Sequence, residues 1–284
     1  MNRQTVNPTP KAGRNLPVAI GVGVGLFVPL AAGLIWAPWF FTLLIAVGLG
    51  LAAVEVHRAL LLKGMRAEIR PIVVGTVVSV LGGYIAGRVD LHISAVGFAA
   101  ICLAATMLAA LTSRLFRGAE GFIRDAAASS FLIAYIPLMG VFVPLLLAAD
   151  HGRIRILIVI MCVIASDTGA FAVGVLFGRN KMAPSISPGK TWEGFAGGVA
   201  VAAVVGALGV HFLLDTPWWV GLILGALCSL GGTVGDLVES LIKRDAGLKD
   251  MSNFLPGHGG IMDRIDSMLV AVPVGWLVLH LALG

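Results

Sequence analysis

The sequence predicts an all-α integral membrane protein. It is a polytopic bundle of about nine transmembrane helices, N-terminus in the cytoplasm and C-terminus outside. Three observations predict it. Of 284 residues, 58% are hydrophobic and only 12% charged. A soluble domain carries roughly 25% charged residues, so this chain has too little polar surface to cover a globule. Apolar runs close to the roughly 20 residues that a helix needs to cross a bilayer recur along the chain, while the ten-residue alternation of a membrane β-barrel is absent. The lysines and arginines between the runs fall heavily on alternate sides.

A short polar tail, 1–15, rich in Pro, Asn, Lys and Arg, comes first. The apolar run behind it is too long for a signal-peptide core, so it is read as a retained first span. The spans are expected at 16–35, 38–55, 71–87, 93–113, 127–149, 154–178, 194–214, 217–236 and 267–283. Helices satisfy their own backbone groups in lipid. The 37 glycines suit close helix packing there. Trp36, Trp39, Trp218 and Trp219 stand at span ends, where an aromatic belt forms.

With the N-terminus inside, the inner segments hold Arg3, Lys11, Arg14, Arg58, Lys63, Arg66, Arg70, Arg114, Arg117, Arg124, Arg179, Lys181, Lys190, Lys243, Arg244, Lys249 and Arg264. The outer segments hold Arg88, Arg153 and Arg155. The positive-inside rule therefore sets the orientation. The chain divides into the tail, N-terminal spans over 16–150, and a C-terminal region over 151–284. Two long polar loops of that region, 179–193 and 237–266, face the cytoplasm. The net charge of +5 reads as orientation and anionic-lipid contact, not nucleic-acid binding. Cys102, Cys162 and Cys228 stand singly in apolar runs without a CxxC spacing, which fits small buried residues.

Four polar constellations interrupt this pattern. In "IASDTGAF", Asp167 lies about 16 Å of helix inside its apolar run. A carboxylate at that depth must be paired, hydrated or metal-bound. It reads as a functional group facing a wet cavity, or as a satisfied polar knot with Ser166 and Thr168. In "RNKMAPSISPGKTWEG", the "GKT" tempts towards a phosphate loop, but Pro184 stands where the Walker pattern needs Gly, and no soluble strand precedes it. What remains is an anion-binding loop with Arg179, Lys181, Ser185, Ser187, Lys190 and Thr191, or an ordinary positive-inside loop. In "GDLVESLIKRD", Asp236, Ser240 and Lys243 share one helical face, flanked by Glu239 and Arg244. Taken alone it is equally an amphipathic exit helix. In "LPGHGGIMDRIDS", three glycines let the backbone approach a ligand. Asp263 and Asp266 there suit either a helix cap or a site, and His258 and Arg264 share the stretch.

Together, Asp167, Asp236, Glu239, Asp263 and Asp266 form a set of hard oxygen donors of the Mg²⁺ type, with no Cys or paired His nearby. Lys181, Lys190, Lys243, Arg244, Lys249 and Arg264 supply positive charge. Carboxylates, a metal and cations are what phosphate chemistry requires. At a cytoplasmic interface such a site meets a soluble nucleotide from one side and a lipid headgroup from the other.

The residues "SLIKRDAGLKDMSNFLPGHGGIMDRID" resemble the signature of the phosphatidate cytidylyltransferases, the CDP-diacylglycerol synthases. Ser240, Lys243, Arg244, Lys249, Asp250, Ser252, Leu255, Pro256, His258, Gly259, Gly260, Asp263, Arg264 and Asp266 fill its fixed places. "SDTGAF…GR…SPGKTWEG" is also similar to the family. The resemblance covers about 160–284; the first 150 residues match only as hydrophobic spans. It implies that CTP and phosphatidate are converted to CDP-diacylglycerol and pyrophosphate with Mg²⁺, as one or two divalent ions, with a monovalent cation left open. It implies a multi-pass protein of the cell membrane in phospholipid biosynthesis, with homodimer formation left open.

On that basis Asp236 and Asp263 are the expected first metal ligands, with Asp167 and Asp266 supporting them. Lys243, Arg244, Lys249 and Arg264 are expected to hold phosphates and departing pyrophosphate. Ser187, Lys190, Thr191 and Ser240 are expected to contact substrate. His258 is read as a phosphate or structural contact rather than a base. Two other readings compete. An ion- or proton-coupled transporter would spread ionisable residues along several spans, whereas here the charge gathers on one side. Another Mg²⁺-dependent lipid phosphotransferase, of the CDP-alcohol type, would need an Asp-Gly-x-x-Ala-Arg string, which the sequence lacks.

Overall fold

Apolar runs that cross a bilayer must be helical, because no solvent there satisfies an open backbone. The computed structural model describes residues 16–89 and 93–284. The tail 1–15, expected in the cytoplasm, lies outside the described residues. The first four helices are α1 (Leu16–Trp36), α2 (Pro38–Leu62), α3 (Ile69–Ala86) and α4 (Ala95–Leu115). The fifth span is broken into α5 (Phe122–Tyr135), α6 (Pro137–Gly140) and α7 (Phe142–Ala148). Pro137 at the break has no N–H to continue the ladder. Then follow α8 (Gly152–Phe177), β1 (Lys181–Ala183), β2 (Ser187–Thr191), α9 (Trp192–Leu214), α10 (Trp218–Ala246) and α11 (Met262–Leu283). Counting Phe122–Ala148 as one, eight segments among the described residues are long and apolar enough to cross a membrane. With the 21-residue α1 they make the expected nine-span all-α architecture.

Several boundaries differ from the expectation. Span two was expected to stop at 55, but α2 runs to Leu62 and carries Glu55, His57 and Arg58 inside the helix. Span eight was expected to stop at 236, but α10 continues to Ala246. Its last turn holds Lys243 and Arg244, which complement the carbonyl end of the helix. Gly247 ends it with φ 72°, a left-handed conformation that suits glycine. The polar segment expected over 237–266 therefore narrows to 247–261. Over 179–193, expected as a polar loop, β1 and β2 pair as an antiparallel hairpin with Lys181 opposite Thr191.

Two packing regions position the site. The helices α8, α9 and α10 meet along a glycine seam. A Cβ on Gly225 would fall on the backbone of Ala202 and Ala203, and one on Gly206 on the backbone of Gly221. The buried hydroxyls of Ser166 and Ser229 meet at 2.7 Å, tying α8 to α10. Elsewhere α2 lies in a core with α3, α5 and α11, through Ala52, Val56, Ile72, Leu132, Met262 and Leu269. The α4–α5 turn is held by a buried ion pair, Arg114 Nε to Asp125 Oδ2 at 2.9 Å. Asp125 also accepts the Arg66 N–H at 3.0 Å. The C-terminal ends of α2, α4, α8 and α10 share one side of the bundle, and Lys63 after α2 pairs with Asp245 of α10 at 3.1 Å.

The seam sets an expected outcome. Gly225→Ala places a methyl on backbone that cannot rotate away, and should lower stability by about 1–3 kcal/mol or more. Gly48→Ala adds its methyl to open space within α2 and should be neutral or stabilise by up to about 1 kcal/mol. Thermal unfolding of both variants in detergent compares them; equal unfolding temperatures would refute the seam as a packing constraint.

Candidate functional site

The site is built from the end of α10, the segment 247–261, the start of α11 and the β1–β2 hairpin. Lys243 stands at its centre. Its ammonium pairs with Glu239 Oε2 one turn earlier on α10 and with Asp263 Oδ1 of α11 at 2.8 Å. Glu239 is fully buried, and neither of its oxygens accepts a hydrogen bond of good geometry. Its counter-charge is the Lys243 ammonium. The other oxygen of Asp263, Oδ2, accepts the N–H of Met251 at 2.9 Å and of Gly260 at 2.7 Å. Asp263 therefore folds the 247–261 segment back onto the start of α11. Gly259 is tailored to this: its φ is +81°, and a Cβ there would sit 2.9 Å from Asp263 Oδ2.

The cap of α11 departs from the expectation. The helix begins at Met262, so Asp263 lies in its first turn rather than at the N-cap. The orphan N–H groups are satisfied instead by Glu55, from the middle of α2. Its Oε1 accepts the Ile261 N–H at 3.0 Å and the Ser252 hydroxyl at 2.6 Å. Its Oε2 accepts the Met262 N–H at 2.8 Å. Glu55 is 4% exposed. A Cβ on Gly260 would run into this carboxylate at 2.6 Å, which is why only glycine fits there. A negative group at a helix N-terminus is also favoured by the aligned peptide dipoles. Glu55 belongs to none of the four polar constellations of the sequence. The available signal was a carboxylate standing inside "GLGLAAVEVHRALLL", a run that remains helical beyond it.

The hairpin closes the other side. Lys190 on β2 reaches Asp236 Oδ2 at 2.7 Å. Asp236 Oδ1 accepts the Ser240 hydroxyl at 3.2 Å. Arg244 donates from Nε to the Ile186 carbonyl at the hairpin tip, 3.2 Å away. The hairpin base is held by Glu193, which accepts the N–H groups of Arg179 and Asn180. The Thr191 hydroxyl caps α9 by accepting the Gly194 N–H at 3.1 Å. Thr191, expected to contact substrate, thus has its oxygen engaged by the helix start.

The remaining expected residues are placed as follows. Arg264 and Lys249 are exposed, and Ser187 is half-buried on the hairpin. Asp266 Oδ1 accepts its neighbour's N–H, from Ser267, at 2.7 Å. Asp167 lies on α8, and the charges of Asp236 and Lys190 act on it. Asp236 and Asp167 likewise act on Asp266. His258 packs beside Gly23 of α1, its Nδ1 buried and without a partner among the described residues.

Among the described residues no three His, Cys, Asp or Glu side chains converge closely enough to hold an ion by themselves. Mg²⁺ does not require that: one or two carboxylates suffice when substrate phosphates and water fill the octahedron. Asp167, Asp236 and Asp266 act electrostatically on one another, and one or two of them would fit such a shared ion, Asp236 once Lys190 and Ser240 release its oxygens. Asp263, expected as a first ligand, has Oδ1 on Lys243 and Oδ2 on two backbone N–H groups, so it would join only if Lys243 moved to a phosphate.

Comparison with known proteins gives a consistent picture. The model of the cytidylyltransferase family matches residues 18–282. The phosphatidate cytidylyltransferase of Mycobacterium leprae (strain TN) is 38% identical over 290 residues, covering 98% of this chain and 92% of that protein. That of Mycobacterium bovis (strain ATCC BAA-935 / AF2122/97) is 36% identical over 284 residues, covering 98% and 93%. That of Bacillus subtilis (strain 168) is 41% identical over 133 residues, covering 46% and 49%.

The Glu55 contacts have a direct consequence. Glu55→Ala removes the acceptor of three donors and should cost about 3 kcal/mol or more of local stability. Hydrogen exchange should then accelerate in the peptide spanning 252–262 and leave α9 unchanged. Unaltered protection at Ile261 and Met262 would show that the carboxylate does not hold this helix start.

Proposed function

The chain belongs to the cytidylyltransferase family, and on that premise we propose that it is a membrane enzyme joining the cytidylyl group of CTP to phosphatidate, with release of pyrophosphate. The observation that carries this reading is the linkage of the signature residues into one cationic and carboxylate array, Lys190–Asp236–Ser240 beside Glu239–Lys243–Asp263.

In the proposed reaction a phosphate oxygen of phosphatidate attacks the α-phosphorus of CTP in line. The new P–O bond forms as the bond to the β-phosphate oxygen breaks, and that electron pair leaves with pyrophosphate. The attacking monoester is already anionic at neutral pH, so positioning and charge stabilisation dominate over base catalysis. Lys243 lies between two carboxylates that fix its ammonium, ready to meet the charge that grows on the leaving group. Arg244, Lys249 and Arg264 draw the phosphates to the same mouth. Lys190 and Ser187 approach from the hairpin. One or two of Asp167, Asp236 and Asp266 would hold Mg²⁺ jointly with the phosphates, and bound Mg²⁺ supplies neutralisation and polarisation of phosphoryl oxygens. His258, wedged against α1, serves as a contact rather than a base.

The protein is a membrane protein by its helices, and the proposed setting is the cell membrane with this mouth in the cytoplasm, where CTP is. The lysines and arginines of the α2, α4, α8 and α10 ends support that orientation.

Proteoliposomes holding the full chain, phosphatidate and labelled CTP should form CDP-diacylglycerol. Chelation by EDTA should abolish the product and added Mg²⁺ restore it. Asp236→Asn and Lys243→Met should each lower turnover by about a hundredfold or more. Absence of product from the unaltered protein would overturn the activity; variants at full rate would overturn the residue roles. For orientation, Asn253→Cys, an exposed position, should react with an impermeant thiol reagent in inside-out vesicles and not in intact cells. The reverse pattern would place the mouth outside.

A further inference from the structure

The α3–α4 pair carries a groove that plays no part in the site described above. A Cβ on Gly75 would fall on the Thr106 side chain, so the two helices nearly touch there. Around that contact lies a groove of about 410 Å³, walled by Val74 and Val78 of α3 and by Ala105 and Ala109 of α4. All four wall residues are exposed, so in a bilayer this face meets lipid. From Arg70 at one end to Val78, the groove follows α3 for about 12 Å. A second depression follows α4 from the same two alanines to Phe116. A gap in hydrocarbon forfeits dispersion contacts, so acyl chains or another protein surface must fill both.

One end of the groove is charged. Arg70 lines it from the first turn of α3 and is exposed. A cation there stands at the positive end of the aligned peptide dipoles, where an anion is favoured. No side chain caps this helix start. The neighbouring carboxylate, Glu68, is engaged by Arg117. Arg70 itself makes no ion pair among the described residues. Guanidinium and helix start thus present uncompensated positive charge where the apolar groove ends. Because α3 begins just after α2 ends, this is the side of the bundle that carries the Lys63–Asp245 pair.

We propose that the α3–α4 face binds an anionic phospholipid of the surrounding membrane. Its phosphate pairs with Arg70, one acyl chain follows Val74 and Val78, and the other follows α4 to Phe116. Basic pockets between membrane helices suit such headgroups. A second copy of the chain fits this face less well. A symmetric contact would bring another Arg70 and no counter-charge, since neither depression is lined by Asp or Glu. No residue of either depression belongs to the reaction mouth, so this lipid is held rather than converted.

The test uses the purified full chain in mixed micelles containing phosphatidylglycerol or phosphatidylcholine, and needs no turnover. Phosphatidylglycerol should raise the unfolding temperature by about 5 °C more than phosphatidylcholine, and native mass spectrometry should show one retained anionic lipid per chain. Arg70→Gln should lose most of the difference and the retained lipid. Arg124→Gln, a cation of the same side that lines neither depression, should keep both. Ala105→Phe, which fills the groove from an exposed position, should lose both while unfolding normally in phosphatidylcholine. Equal shifts for the two lipids overturn the proposal, as does an Arg70→Gln variant that behaves as the unaltered protein. A loss in Arg124→Gln as large as that in Arg70→Gln also overturns it, since that would be general surface charge. If Ala105→Phe instead splits a lipid-free dimer into monomers, the face joins two chains and the proposal fails.

Discussion

The carboxylate of Glu55 is the constraint on which the rest depends. It is a buried charge in a helix that crosses the membrane, and it is tolerable only because three donors converge on it. All three come from 252–262. Meeting that requirement fixes where α11 begins, excludes any side chain at Gly260, and brings Asp263 to the position from which it gathers the N–H groups of Met251 and Gly260 and the ammonium of Lys243. Lys243 in turn is what makes the fully buried Glu239 acceptable on α10. A single chain of contacts thus runs from α2 through the signature segment to α10. The C-terminal spans carry most of the polar residues, and the N-terminal spans determine where they stand.

At rest two ammonium groups of the site already face three of its five carboxylates. Lys243 faces Glu239 and Asp263, and Lys190 faces Asp236. Charges gathered at the edge of a low-dielectric region cost least when each has a counter-charge in contact. A phosphate-bearing ligand then competes for cations already in place, rather than recruiting them from water. The glycine seam contributes by its stiffness. Where α9 and α10 touch backbone to backbone, the helices have little room to slide, and the carboxylates on α8 and α10 keep their spacing.

Much of this was legible in the chain, because hydropathy and charge act locally. Nine spans, the shared side of the cations and the importance of 240–266 follow from residues that lie near each other in sequence. Two kinds of feature did not follow. Helix ends were misplaced where polar residues continue a helix beyond its apolar run: α10 past Asp236 and α2 past Glu55. Hydropathy stops at such residues although backbone hydrogen bonding does not. Contacts across great separations were also invisible. Glu55 meets Met262 across 207 positions, and nothing in the neighbourhood of either residue announces the other. The pairing of Lys243 with Asp263 required knowing that α10 and α11 lie side by side.

The long reach from α2 to the start of α11 also bears on how the protein is made. During synthesis Glu55 enters the membrane region some two hundred residues before the groups that satisfy it have left the ribosome. Until the last span arrives, that carboxylate must be held by water, a proton or another part of the nascent bundle. The same delay leaves Lys243 without Asp263. A chain interrupted before its final helix therefore lacks an organised reaction centre, and an unfinished copy left in the bilayer would be inert rather than a source of stray chemistry on nucleotides.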